Sequence, residues 1–167
     1  LFQISYLVFP GTFALPFIDY IIADSNVIPS ELISHYFEKV LYLPHCYLPR
    51  DSAVIPSLIK PSRTDFGLPE KSFIFCCFNH DYKINPPIFH LWMQLLKDKA
   101  DSVLWLMNLN DSAMNNLKKE AILEGVDPKR LIFATRVPNI EDHLARYQLA
   151  DVFLDTFPYN GHTTVSD

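Results

Sequence analysis

The chain has 167 residues, 49% hydrophobic and 20% charged, with a net charge of -5. That is the composition of a globular chain holding one domain or parts of two, and it excludes a disordered one. The 14 basic residues are scattered, so the clustered cations of a non-specific nucleic-acid binder are missing and no nucleic-acid partner is expected.

Three cysteines, Cys46 and the adjacent Cys76 and Cys77, make neither a disulfide framework nor a CxxC metal pattern. Cys76 and Cys77 sit in an apolar run and read as buried, reduced thiols, which suggests a cytoplasmic location. The first 23 residues are rich in apolar types, but Pro10, Gly11, Pro16 and Asp19 interrupt them and no basic flank precedes them. Two buried strands fit better than a membrane span, and no membrane partner is expected. The chain starts at Leu1 inside a hydrophobic run and ends at Asp167 after a turn signal, so a fragment of a longer protein is expected.

In chain order, residues 6–9 and 17–23 read as strands, 29–39 as a helix and 40–47 as a further apolar run. Residues 48–71 carry Pro49, Pro56, Pro61 and Pro69 without periodicity, the composition of a linker. The continuous apolar run 72–78 predicts a strand buried on both faces. A helix over 86–98 follows, with Ile88, Leu91, Trp92, Leu95 and Leu96 on one stripe and Pro86 and Pro87 in its first turn. Residues 102–107 predict a second strand, 111–124 a helix stopped at Gly125, and 130–134 a third strand. Asn139 is placed to cap a short helix whose first turn holds Glu141 and Asp142. Residues 150–155 predict a fourth strand and 159–164 the loop after it. This alternation predicts an α/β fold with a parallel sheet, and ligands in such sheets bind beyond the carboxyl ends of the strands.

Three post-strand segments carry candidate chemistry. In Asn160-Gly161-His162-Thr163-Thr164, glycine lets backbone approach a ligand, and hydroxyls with unpaired N–H groups at a helix start make an anion site. His162 can donate to a phosphate oxygen and Asp167 can accept from a ribose diol. Taken alone, a Ser/Thr-capped loop is the commoner use of such residues. In Phe78-Asn79-His80-Asp81-Tyr82-Lys83, Lys83 stands where a point charge would offset charge on a leaving phosphate, or is a solvated surface lysine. His143 and Arg146, spaced i, i+3, share one helix face. Ile140, Leu144 and Tyr147 form the opposing stripe, which predicts that the pair points away from the core. No P-loop, GxGxxG, HExxH or GxSxG pattern is present, and no metal site is expected.

At these positions the chain resembles the catalytic region of the protein O-linked N-acetylglucosamine transferases, including bacterial and plant SPINDLY-type relatives. The matching segments include Phe9-Pro10-Gly11-Thr12, Phe17-Ile18-Asp19-Tyr20-Ile21-Ile22-Ala23-Asp24, Leu41-Tyr42-Leu43-Pro44-His45 and Phe78-Asn79-His80-Asp81-Tyr82-Lys83-Ile84. Ser102-Val103-Leu104-Trp105-Leu106, the segment from Gln148 to Thr156, and Asn160-Gly161-His162-Thr163-Thr164 with Asp167 continue the match in family order.

The resemblance implies a GT-B architecture. Residues 1–60 would be the end of the first Rossmann-like lobe with the linker, and 61–167 the start of the donor-binding second lobe. It implies inverting transfer of N-acetylglucosamine from UDP-GlcNAc to Ser or Thr hydroxyls of proteins, without a cofactor or metal. Tetratricopeptide repeats would lie upstream, and the short linker favours a bacterial-type member.

Carried over by residue, Lys83 matches the lysine that contacts the donor diphosphate and steadies the leaving group. His80 takes a nucleotide-contacting position, and His143 and Arg146 match groups near the uridine and phosphate. His162, Thr163 and Thr164 match the diphosphate loop, and Asp167 the ribose carboxylate. The general base is expected upstream of this chain. Two departures bear on the sugar: Phe13-Ala14 stands where the family often has Ser-Gly, and Val8 where a glycine is common. The alternatives are a GDP-fucose-dependent transferase of the SPINDLY type, which tends to have threonine where His162 stands, and a non-catalytic scaffold module.

Overall fold

The computed structural model describes residues 1–7, 9–108 and 110–167. The chain divides into two compact units, Leu1–Asp51 and Ser52–Asp167. Val8, at the position read above as a departure near the sugar, lies outside the described residues.

In the first unit β1 (Ile4–Ser5), β2 (Tyr20–Ala23) and β3 (Lys39–Tyr42) form a parallel sheet in that order. The strand expected over 6–9 falls earlier, at Ile4–Ser5: Leu7 has φ 68, a left-handed conformation that a continuing strand does not tolerate. The helix expected over 29–39 is a six-residue 3-10 helix, Ser30–His35, with no buried residue. Without an apolar face to bury, a longer α-helix has nothing to hold it. Ile21, Ala23 and Ile28 are the unit's buried core.

Two buried carboxylates order the loops around this sheet. Asp24 accepts from the N–H groups of Asn26, Val27 and Tyr47. Burial works to raise its pKa, but these three bonds outweigh it and hold the carboxyl below its ordinary value. Glu38 accepts from the Thr12 hydroxyl and the Phe13 N–H, so the Pro10-Gly11-Thr12 turn is tied to the start of β3.

In the second unit β4 (Phe73–Cys77), β5 (Ser102–Met107), β6 (Leu131–Ala134) and β7 (Val152–Phe153) make one parallel sheet in the order β6-β5-β4-β7. Alternation along the strands fills two cores. Phe75, Cys77, Leu104 and Leu106 face Phe89, Trp92, Met93, Leu96 and Ala121 from α1 (Pro86–Asp98) and α2 (Asp111–Leu123). Ile74, Cys76, Phe78, Val103 and Trp105 face Leu68 and Leu149 on the other side. The two adjacent thiols point to opposite faces, both buried, and burial pushes both to about 12. Neither is a nucleophile at neutral pH.

Helix α1 has the expected ends, with the Asn85 side chain accepting from the Ile88 N–H as its cap, but its buried stripe is Phe89, Trp92, Met93 and Leu96. Leu91 and Leu95 are 57% and 38% exposed. Both stripes obey the helical period; Phe89 and Met93 fill the space over β4 and β5, which turns Leu91 and Leu95 outward. Arg130, expected to open the third strand, instead ends a 3-10 turn and donates to the Leu96, Lys99 and Ser102 carbonyls. It thereby satisfies carbonyls at the end of α1.

The second half of the presumed linker is packed rather than free. Leu68 is buried, and Arg63 donates to the Leu149, Glu70 and Ser72 carbonyls and pairs with Asp151 at 3.1 Å. Among the described residues no helix is long and apolar enough to cross a membrane.

Candidate functional site

Strands β4 and β5 follow one another outward to β6, after which the chain returns to place β7 on the other side of β4. The loops after β4 and β7 therefore leave neighbouring strands at the point where the winding reverses, where open α/β sheets bind ligands. Asn79 and Asp155, just past the ends of these two strands, meet there. The Asn79 amide is buried and donates to Asp155 Oδ1 at 2.8 Å and to Thr156 Oγ1 at 2.9 Å.

Asp155 in turn organises the loop that follows it. Its Oδ1 accepts from the N–H groups of Thr156 and Gly161, each at 2.7 Å, and its Oδ2 from the Asn160 amide at 3.0 Å. Burial acts to raise its pKa, and the bonds from Gly161, Thr156, Asn79 and Asn160 together bring it below the ordinary value. Gly161 is required by close approach rather than by φ: an added Cβ would sit 2.5 Å from Asn79 Oδ1 and 2.6 Å from Val165 Cγ2.

Lys83 ends the 3-10 turn Asp81–Lys83 after β4. Its Nζ donates to the Asn160 carbonyl at 2.8 Å and lies 4.3 Å from the centre of the Tyr159 ring. His162 precedes the short helix α4 (Thr163–Ser166). Burial first, then the nearby Lys83 charge, hold its imidazole below the ordinary pKa, which favours the neutral form at neutral pH. His80 is turned aside: its Nδ1 bonds Asp81 Oδ1 at 2.5 Å and its ring stacks on Tyr82.

A second cluster gathers around α3 (Ile140–Arg146). The expectation that His143 and Arg146 point away from the core fails: Arg146 is 1% exposed, while Ile140 is 46% exposed. The Arg146 guanidinium lies 4.5 Å from the centre of the Phe78 ring and donates to the Thr135 carbonyl at 2.8 Å. A planar, weakly hydrated cation that stacks on an aromatic face can be buried where lysine could not be. Ile140 sits in the first turn, where Asn139 donates to Asp142 rather than capping with its side chain.

Arg146 Nη2 approaches His143 Nδ1 to 2.6 Å. A guanidinium only donates, so Nδ1 accepts and the neutral imidazole carries its proton on Nε2. That Nε2 lies 4.0 Å from Asp167 Oδ2. Burial and the Arg146 charge hold the His143 pKa down, against Asp167. Tyr147 closes the cluster, donating to the Thr164 carbonyl at 3.2 Å. The loop from Asn160 to Asp167 thus runs from Lys83 at one end to His143 at the other, with Thr163 and Thr164 between.

Sequence reading missed Asn79, Asp155, Thr156 and Tyr147. The available signal was position, since Asn79 and Asp155 each stand just beyond a strand's end, after one intervening residue. A cavity of about 290 Å³ lies beside this region between the 81–83 turn and α2, lined by Tyr82, Ile84, Asn116, Leu117 and Glu120 among others. Lys83, His143, Arg146 and His162 do not line it.

The parallel Rossmann-like sheet thus carries a cation, imidazoles and a glycine-threonine loop at its winding reversal, the place where open α/β sheets bind ligands. The chain belongs to glycosyl transferase family 41, whose model matches residues 1–60 and 49–167. It is 42% identical, over 99% of its length and 17% of the relative's, to a probable UDP-N-acetylglucosamine--peptide N-acetylglucosaminyltransferase SEC of Arabidopsis thaliana. With a SPINDLY relative from Petunia hybrida, covering 99% of this chain and 18% of that one, it shares 31% identity. The structure matches a mutant O-GlcNAc transferase of Thermobaculum terrenum with a TM-score of 0.80 and 28% identity, over 98% of this chain and 30% of that one. The fold is accordingly α/β of the GT-B type. The chain spans less than a fifth of the length of these curated relatives.

Proposed function

We propose that this chain is the donor-binding part of an inverting transferase that moves N-acetylglucosamine from UDP-GlcNAc to Ser or Thr hydroxyls of proteins. The observation that carries the reading is that Lys83, His162 and the Asn160–Asp167 loop share one sheet edge with His143 and Arg146. In this reading residues 1–60 end the first catalytic lobe with its linker and residues 61–167 begin the second, while the compact units divide at Asp51 and Ser52.

The diphosphate would lie against Lys83 and the main chain of Thr163 and Thr164. Attack on the anomeric carbon by the acceptor hydroxyl inverts it as the nucleoside diphosphate leaves. Lys83, already aimed at an oxygen acceptor, stabilises the charge that builds on the departing phosphate, so no metal is required. Asp167 accepts from the ribose diol. His143 Nε2 faces Asp167 Oδ2 at 4.0 Å, and Arg146 fixes which nitrogen of that imidazole carries the proton. His162 offers a hydrogen bond to a phosphate oxygen, and His80 lies at the nucleotide's edge. The general base is supplied from outside this chain.

The SEC and SPINDLY relatives both bear the name UDP-N-acetylglucosamine--peptide N-acetylglucosaminyltransferase, which supports the N-acetylglucosamine reading. Calorimetry on the full-length protein tests it: UDP binds and GDP does not. Binding of GDP alone favours the fucosyl donor, and binding of neither favours the scaffold.

A further inference from the structure

The hydrogen bonds around Asp155 form a closed circuit between the two loops of the site. Asn79, at the end of β4, donates to Asp155; Asp155 holds the Asn160 amide; the Asn160 carbonyl receives Lys83, which returns the circuit to the loop after β4. Asn160 also donates to the Thr156 carbonyl at 2.7 Å, so its position is set from both sides. The orientation of the Asn79 amide is forced, because an ionised carboxylate only accepts. The Asn79 oxygen therefore faces Gly161, where it is buried and has no partner among the described residues. All four donors on Asp155 are groups of its own unit.

We propose that Asp155, oriented by Asn79, is a positioning residue for the donor diphosphate: it shapes the 156–162 loop so that Lys83 and the Thr163–Thr164 main chain address one phosphate site. This rests on the UDP-sugar reading above. Asp155 does not touch the donor. Its oxygens are occupied, and a bare carboxylate beside a diphosphate would repel it. Its charge is spread over four donors, which leaves the Lys83 charge for the ligand. In Asp155→Asn, the amide oxygen keeps the contacts of Oδ1, but the new NH2 meets the Asn160 NH2, donor against donor. Asn160 is then anchored by the Thr156 carbonyl alone, and the carbonyl that holds Lys83 loses one of its two supports.

The test measures UDP and uridine binding by the full-length protein, UDP by calorimetry and uridine by ligand-observed NMR. Asp155→Asn is expected to weaken UDP by about tenfold or more while leaving uridine unchanged, since uridine lacks the phosphates. Asn160→Ala, at an exposed position that does not threaten folding, is expected to act in the same direction. Because Asp155 acts through Lys83, Asp155→Asn combined with Lys83→Ala is expected to cost less than the sum of the two. Unchanged UDP affinity in both single variants, equal loss of UDP and uridine, or strict additivity with Lys83→Ala would each overturn the proposal. A wild-type protein that binds neither UDP nor uridine overturns the donor reading itself, an outcome distinct from these.

Discussion

The Lys83 ammonium and the Asn160 carbonyl stand 2.8 Å apart, across 77 residues of sequence, and join the loops after β4 and β7. This bond holds a cation at the winding reversal of the sheet, where the remaining N–H groups of the ammonium can meet a phosphate oxygen. Removing the ammonium is expected to weaken UDP binding without unfolding the protein. A charge-assisted hydrogen bond is worth about 1.5–3 kcal/mol, so Lys83→Ala should raise the dissociation constant about tenfold to a hundredfold. Unchanged UDP affinity in calorimetry would move the diphosphate elsewhere.

Gly161 has no room for a side chain. The Cβ of Gly161→Ala would press on Asn79 Oδ1 and Val165 Cγ2, and neither the buried amide nor the short helix can yield cheaply. Overpacking of this kind costs about 1–3 kcal/mol. Urea unfolding should show a lower midpoint with unchanged slope, together with weakened UDP binding. An unshifted midpoint would mean that the 160–167 loop adapts without cost.

Arg146 packs on Phe78 and also contacts His143 in the proposed site. Arg146→Met keeps an unbranched chain against Phe78 but leaves the Thr135 carbonyl without its donor. A loss of about 1–3 kcal/mol is expected in urea unfolding. A rise in midpoint would show that burying the guanidinium costs more than its hydrogen bonds return.

His143 and His162 are both held below the ordinary value of 6.5 by burial first, then by Arg146 and Lys83 respectively. The unfolded chain takes up protons on them as pH falls through 6.5, while the folded chain resists. Their stabilising effect is therefore full above that pH and lost as pH falls toward the folded values. Asp24, Glu38 and Asp155 are also lowered, but they act below the ordinary carboxylate range. The thermal midpoint should drop between about pH 7.5 and about pH 5, and the drop should shrink in His143→Gln/His162→Gln. An equal drop in the double variant would assign the effect to other groups.

The 167-residue chain on its own should show no turnover with UDP-GlcNAc and a protein acceptor, because its proposed share of the site contains no general base. Sugar transfer measured with the isolated chain would place that base within it.

Most elements of the second unit were legible in the sequence. Run lengths and helix signals located α1, α2, β4 and β5 because apolar patterning, the fixed φ of Pro86 and the left-handed turn at Gly125 act locally. The first unit was less legible. Its short strands carry little pattern, and β1 lies before the predicted run because the Leu7 backbone ends the pairing. The face of α1 went to Phe89 and Met93 rather than Leu91 and Leu95, a choice made by space over the strands and not by periodicity.

The site divides in the same way. The sequence by itself determined the residue types: a lysine after one strand, a glycine-threonine loop after another, and a histidine-arginine pair on a helix. Only the tertiary structure decided that the strand bearing Lys83 lies beside the one preceding the loop, and that Arg146 turns inward to stack on Phe78. It also decided that Asn79 and Asp155 bind the two loops together. Side-chain chemistry is written residue by residue, but strand order and the shape of the space around a guanidinium are properties of the whole sheet. They come into being when apolar faces find one another across long separations in the chain.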